Sequence, residues 1–253
     1  MISSGPIVCD IEPRIGARLR QITIDTTPIL VAAAPDVLDW GMYPMVPYAG
    51  RVRRAILEFD GASHDLPMNA PPHAIHGTVF DVPWNTVSSD ATSMTMEAST
   101  GDRWPFPATV THAVTVTEFA VRCELSIEAH VRMPVQLGWH PWFARPDRVT
   151  ASFASMLQKD AEGITTLDRV EPASPPVDDC FFEPDAWPRI EIGDVTVEIA
   201  SDCPWWVRYD APSGDVCIEP QSGPPNGVNT RPFILEADGR WMRWMEIRHV
   251  TGQ

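Results

Sequence analysis

The chain has 253 residues, of which 34 are acidic and 19 basic, for a formal net charge of −15. A surface that negative offers no electrostatic footprint for nucleic acid or an anionic membrane, and leaves a neutral small molecule as the easier partner. Five scattered cysteines, with no Cys-x-x-Cys pair and no His/Cys cluster at zinc spacing, read as reduced thiols of a cytoplasmic protein without a metal site.

The start of the chain lacks the basic and apolar regions of a signal peptide, and no apolar run approaches membrane-spanning length. Short apolar runs at residues 7–11, 19–24 and 56–59 predict strands. Val110, Val114 and Val116 then alternate with threonines. From Phe119 to Val131 every second residue is apolar, so the two runs read as a hairpin with one buried face. Further hairpins are predicted at Gly193-Asp194, and at Asp238-Gly239 between residues 232–235 and a strand starting at Arg240. Prolines (26) and glycines (15) punctuate these runs, and no amphipathic helix, linker or repeat interrupts them. Residues 1–253 are therefore expected to form a single all-β domain, a large antiparallel β-sandwich or barrel.

Two segments of this pattern carry groups able to do chemistry. In Gln136-Leu137-Gly138-Trp139-His140-Pro141-Trp142-Phe143, a histidine sits between two tryptophans and is restricted by the following proline. Histidine titrates near neutrality, and the flanking rings offer flat apolar faces to a ligand. In Cys217-Ile218-Glu219-Pro220-Gln221-Ser222-Gly223-Pro224-Pro225-Asn226, one carboxylate ends a short apolar run before a Pro/Gly-rich loop. Proline cannot donate to a sheet ladder, so the strand is predicted to stop there and hold Glu219 at a pocket rim. Taken alone, Glu219 reads as a solvated carboxylate at a strand end, as most glutamates are, and His140 also fits a core histidine.

Together with Tyr43-Pro44-Met45-Val46-Pro47-Tyr48-Ala49-Gly50-Arg51-Val52 and Ala74-Ile75-His76-Gly77, these segments resemble the aldose 1-epimerase family, also called galactose mutarotases. The resemblance implies a galactose mutarotase-like β-sandwich whose concave face holds a sugar. It implies Glu219 as general base on the C1 hydroxyl and His140 as general acid on the ring oxygen, the two approaching one pocket from opposite sides. His76 is implied as a second sugar-contacting histidine and Arg51 as a donor to hydroxyls. Asp178 is implied as a hydroxyl-binding aspartate, although Asp179 is adjacent and a plain acidic turn fits both. Trp142 is the tryptophan that the motif sets beside the site, whereas Trp84 and Trp104 are candidates either for sugar stacking or for the core.

The chain departs from the commonest family pattern at Gly50, Thr78, Trp139 and Pro141, and Trp139 in place of a polar residue is expected to change what the site recognises. No phosphate-binding glycine loop, dinucleotide fingerprint or nucleophile elbow occurs, so no cofactor is expected. The implied activity is interconversion of the α and β anomers of a free aldose by a cytoplasmic monomer or homodimer. Two alternatives stand beside it: a sugar-6-phosphate 1-epimerase using Arg53, Arg54 or Arg103 for the phosphate, and a carbohydrate-binding protein without turnover. Lys159 is the only lysine, so arginine supplies most of the remaining positive charge.

Overall fold

The computed structural model describes residues 1–251. The predicted hairpin forms, with Ala108–Val116 paired to Ala120–Ala129 from Ala108↔Ala129 to Val116↔Val121. Its second strand is shorter than the alternation, because Thr117 and Ala120 close the turn by hydrogen bonds and leave Phe119 exposed. Gly193-Asp194 also turns as predicted, bringing Ile192 opposite Val195. Both hairpins belong to an antiparallel sheet of eight strands.

The hairpin expected at Asp238-Gly239 is not formed. Phe233–Leu235 pairs instead with Met133–Val135, while Arg240–His249 has Ala120–Ala129 on one edge and Val195–Ser201 on the other. A strand with both edges occupied has no ladder left for its neighbour in sequence.

An 11-stranded sheet packs against the first. Its middle runs, in spatial order, through Met42–Met45, Gly138–Phe143, Val216–Gln221, Trp205–Asp210, Asp178–Pro184 and Phe153–Lys159. Buried apolar side chains from both sheets, among them Trp206 and Ile218 from one and Leu125 and Ile247 from the other, form one contiguous cluster. Each such side chain contributes about 1.5–3 kcal/mol by leaving water. Among the described residues the five cysteines are unbridged and buried, and no helix is long and apolar enough to cross a membrane.

A polar pair ties the two sheets together inside this core. Trp139 donates its Nε1–H to His112 Nε2 at 3.2 Å, and His112 Nδ1 bonds the Ala17 carbonyl at 3.1 Å. That pairing fixes the tautomer, because Nε2 is the acceptor and Nδ1 must carry the proton. Trp139 is wholly buried here, so the expectation that it shapes ligand recognition is overturned. Successive strand residues face opposite sides, and His140 and Trp139 cannot both face a ligand.

Burial pushes His112 down to about 4, and it also depresses His140 and His76. The unfolded chain, with histidines near 6.5, therefore takes up protons first as the pH falls. The contribution of His112 and His76 is whole above about pH 6.5 and is lost as the pH drops towards the folded values. We expect the unfolding free energy to fall by up to about 1.4 kcal/mol per pH unit for each of His112 and His76, whereas His140 is paired with Glu219, whose raised carboxyl already holds a proton in the folded chain. Replacing His112 by Gln should remove one histidine's share of that slope and cost about 1–3 kcal/mol at neutral pH, since glutamine cannot match both bonds. Urea unfolding of wild type and variant across this range checks both statements. Equal slopes would show that His112 is not held neutral.

Candidate active site

Sheet register assembles the site. Pairing of Gly138 with Gln221 and of Trp142 with Cys217 sets His140 opposite Glu219 on the neighbouring strand. Tyr43 pairs with His140, Val207 with Glu219 and Cys180 with Val207, which extends the row across five strands. A parallel row holds Trp142, Cys217, Tyr209 and Asp178. Both rows face away from the eight-stranded sheet, since the intervening residues Trp139 and Ile218 belong to the core between the sheets. Residues far apart in sequence thus share one floor.

Two expectations need correction here. The strand carrying Glu219 does not stop at the proline: it runs from Val216 to Gln221 with partners on both sides, so Glu219 is a buried residue in mid-sheet. Pro220 removes one donor, but pairing resumes at Gln221 with Gly138 and Trp205. Nor do the two groups approach from opposite sides. His140 Nε2 lies 3.3 Å from Glu219 Oε1, side by side on adjacent strands.

The pair opens into a cavity of about 320 Å³, also lined by His76, Arg51, Asp178 and Trp142. That volume is within the range of small-molecule sites. The six residues that the resemblance implied, Glu219, His140, His76, Arg51, Asp178 and Trp142, therefore line one cavity. The imidazole of His140 stacks with Tyr43, at 4.9 Å and 17° between planes, and with Trp142, at 5.4 Å and 24°. His76 meets it edge-on at 4.7 Å. Trp142 Nε1–H and Tyr43 O–H both donate to the Leu38 carbonyl, at 2.7 and 3.0 Å, which locks the two rings. One face of Trp142 is thus covered by the histidine, and the tryptophan expected to stack on sugar holds His140 in place. Trp84 and Trp104 are buried in the core.

Burial pushes Glu219 well above the usual carboxylate range, with the charge of Asp178 acting in the same direction. A hydrogen bond from Gln221 Nε2 at 3.1 Å and the nearby Arg51 favour the carboxylate without outweighing burial. Burial also holds His140 down to about 3. Burial therefore favours a carboxylic acid beside a neutral imidazole, with a single proton between two acceptors. Carboxylate beside imidazolium is the same composition with that proton moved. His140 Nδ1, His76 Nδ1 and Gln221 Oε1 are buried without partners in the protein. Such atoms are rare, and three around one cavity suit a polar ligand.

At the wall, Arg51 lies 3.6 Å from Asp178, and Lys159 lies 3.6 Å from Asp178 and 3.2 Å from Asp179. Both aspartates line the cavity, so the sequence ambiguity between them ends with both present. Gly50, before Arg51, has φ +67°, and a Cβ there would come within 2.8 Å of Pro225. Its backbone carbonyl accepts the His76 N–H at 3.1 Å, which joins the Arg51 and His76 segments.

The arginines considered for a phosphate are engaged elsewhere: Arg53 with Asp160 and Glu162, Arg54 with Glu162, and Arg103 with Asp81. None of them lines the cavity. Sequence reasoning missed Tyr43 and Gln221, although both stand inside the segments that carry the resemblance, and Lys159, whose signal was its being the sole lysine. It also found no metal spacing, yet the fold brings ligand atoms of His140, Cys217 and Glu219 within 4.8 Å of one another. That trio has the donor types for a soft divalent ion.

The molecule is thus a β-sandwich with a buried carboxyl–imidazole pair at the floor of a cavity lined by aromatic and charged side chains. A sequence profile described as aldose 1-epimerase matches residues 12–186, and the chain belongs to that family. Glu219 lies beyond the matched segment, so its place beside His140 comes from the structure. The fold is galactose mutarotase-like. An aldose epimerase homologue from C. elegans superposes with a TM-score of 0.87 at 13% identity, covering 100% of this chain and 98% of that one. A galactose mutarotase-like protein from Clostridium acetobutylicum gives 0.86 at 14% identity, over 99% and 94%. A galactose 1-epimerase from Lactobacillus acidophilus gives 0.80 at 14% identity, over 99% and 93%. At these identities the likeness establishes the fold. No curated protein sequence matches the chain.

Proposed function

We propose that the chain is an aldose 1-epimerase, a single-domain cytoplasmic isomerase that interconverts the anomers of a free, unphosphorylated aldose. The observation that carries this reading is the 3.3 Å contact between buried His140 and Glu219 at the floor of the cavity. In the reactive placement Glu219 is a carboxylate and His140 carries the proton on Nε2. Glu219 accepts the proton of the C1 hydroxyl while His140 protonates the ring oxygen. The bond between C1 and the ring oxygen breaks and C1 becomes an aldehyde.

The pair is now carboxylic acid and neutral imidazole, the form that burial favours. After rotation about C1–C2, His140 takes back the ring-oxygen proton as that oxygen attacks C1, and Glu219 returns a proton to O1. Ring opening and closure are thus two placements of one proton, and each group contributes about 10²–10⁴-fold. Arg51 and His76 hold hydroxyls and stabilise developing charge. One contiguous core supports the single domain, and unbridged cysteines support the cytoplasm.

Against a phosphorylated substrate, Arg51 and Lys159 both have carboxylates at 3.2–3.6 Å, and a phosphate dianion would meet those as well. Polarimetry or NMR of anomerisation over matched neutral and 6-phosphorylated hexoses tests the reading. We expect neutral sugars to be turned over at least about ten-fold more efficiently, the size of effect that one mismatched charge contact produces. Preference for the phosphates would move the assignment to a sugar-6-phosphate 1-epimerase. Binding of sugars without acceleration of any would make the chain a carbohydrate-binding protein.

A further inference from the structure

The cavity wall contains one cationic group that neither the motif argument nor the acid–base pair uses. Lys159 ends the Phe153–Lys159 strand, its side chain is only 26% exposed, and it lines the cavity with Asp178 and Asp179. Half-burying an ammonium and ordering its long stem costs free energy, and in a chain with a single lysine this one is placed at the pocket. Its contacts with the aspartates, at 3.2 and 3.6 Å, are ion-pair contacts; no directed hydrogen bond from Lys159 to a protein acceptor occurs among the described residues. An ammonium has three N–H donors. With two carboxylate contacts, at least one is left for a ligand.

The position relative to the acid–base pair follows from the sheet. The Asp178–Pro184 strand lies two places from Val216–Gln221, and the Phe153–Lys159 strand three places. At about 4.8 Å per strand these are about 10 and 14 Å from Glu219, and the lysine stem reaches back over part of that distance. A sugar with C1 over Glu219 and His140 therefore meets Lys159 with its opposite end.

We propose that Lys159 is a substrate-binding residue. Its ammonium, held between Asp178 and Asp179, donates to an aldose hydroxyl remote from C1 while the flanking carboxylates accept from neighbouring hydroxyls. A hydroxyl both gives and takes a hydrogen bond, so alternating ammonium and carboxylate groups match a run of adjacent hydroxyls. The end of the sugar assigned to Lys159 rests on the aldose 1-epimerase reading.

The sole lysine makes the test selective, because Lys159 and the α-amino group are the amines that acetic anhydride can acylate. Glu219→Gln protein is treated with the reagent, with and without saturating D-galactose or D-glucose, and acylation at each amine is followed by peptide mass spectrometry. Sugar binding is measured separately by saturation-transfer NMR. We expect bound sugar to slow Lys159 acylation at least about five-fold, a loss of access comparable to one strong hydrogen bond, and to leave the α-amino group unaffected. In otherwise wild-type protein, Lys159→Met should raise KM about ten-fold or more with kcat within about three-fold, and Lys159→Arg should restore part of the loss. Bound sugar without protection, or an unchanged KM in the Met variant, overturns the assignment alone. If no sugar binds, both the assignment and the aldose reading fail.

Discussion

Glu219→Gln protein should anomerise the best sugar at least about 10²-fold more slowly than wild type while binding it with nearly the same affinity. The reason lies in the burial of the pair. Because burial already favours the uncharged carboxyl, an amide of the same shape replaces one neutral group by another, and neither His140 nor Gln221 loses a polar neighbour. Stability should therefore change little. What is lost is the ability to take a proton from the C1 hydroxyl. Arg51→Ala offers the contrast, since it deletes donors to hydroxyls present in the ground state and should weaken binding itself. Polarimetry, with urea unfolding as the control for folding, separates the two. Wild-type rates from folded Glu219→Gln protein would show that Glu219 is not the base.

How far the sequence foretold this site depends on the length scale of each feature. The hairpin of Ala108–Val116 with Ala120–Ala129 is local, and period-two alternation with a short turn was enough to predict it. The Asp238-Gly239 turn was also visible, but its partner strands were not, because Arg240–His249 is claimed by strands distant in sequence. His140, Glu219, His76 and Arg51 were found through motif resemblance, which carries chemistry without geometry. That Glu219 and His140 touch is a consequence of register between two strands nearly eighty residues apart, and nothing local encodes it. Pro220 was misread for the same reason: a proline ends a ladder only when the pairing around it cannot resume. Lys159 stood out in composition, yet its place beside Asp178 and Asp179 required the sheet.

The same pair sets an unusual pH dependence. If Glu219 and His140 titrated independently near their ordinary values of about 4.3 and 6.5, activity would need the carboxylate ionised and the imidazole protonated, and would be confined to a narrow bell between those values. Burial instead lowers His140 to about 3 and raises Glu219 well above the usual carboxylate range. The catalytically competent species is the one with a single proton on the pair. It gains a second proton only below the depressed imidazole value, and loses its own only above the raised carboxyl value. We therefore expect kcat/KM, corrected for uncatalysed anomerisation, to show no acid limb near 4.3. Activity should fall on the alkaline side, where the shared proton is lost, and acid inactivation should instead follow the unfolding driven by the buried histidines. His140→Gln, which removes one of the two sites for that proton, should lower the rate by about 10²–10⁴-fold throughout. A wild-type profile with a unit-slope acid limb near 4.3, in protein shown to be folded at that pH, would mean that Glu219 titrates as a solvated carboxylate, and the shared-proton pair would have to be abandoned.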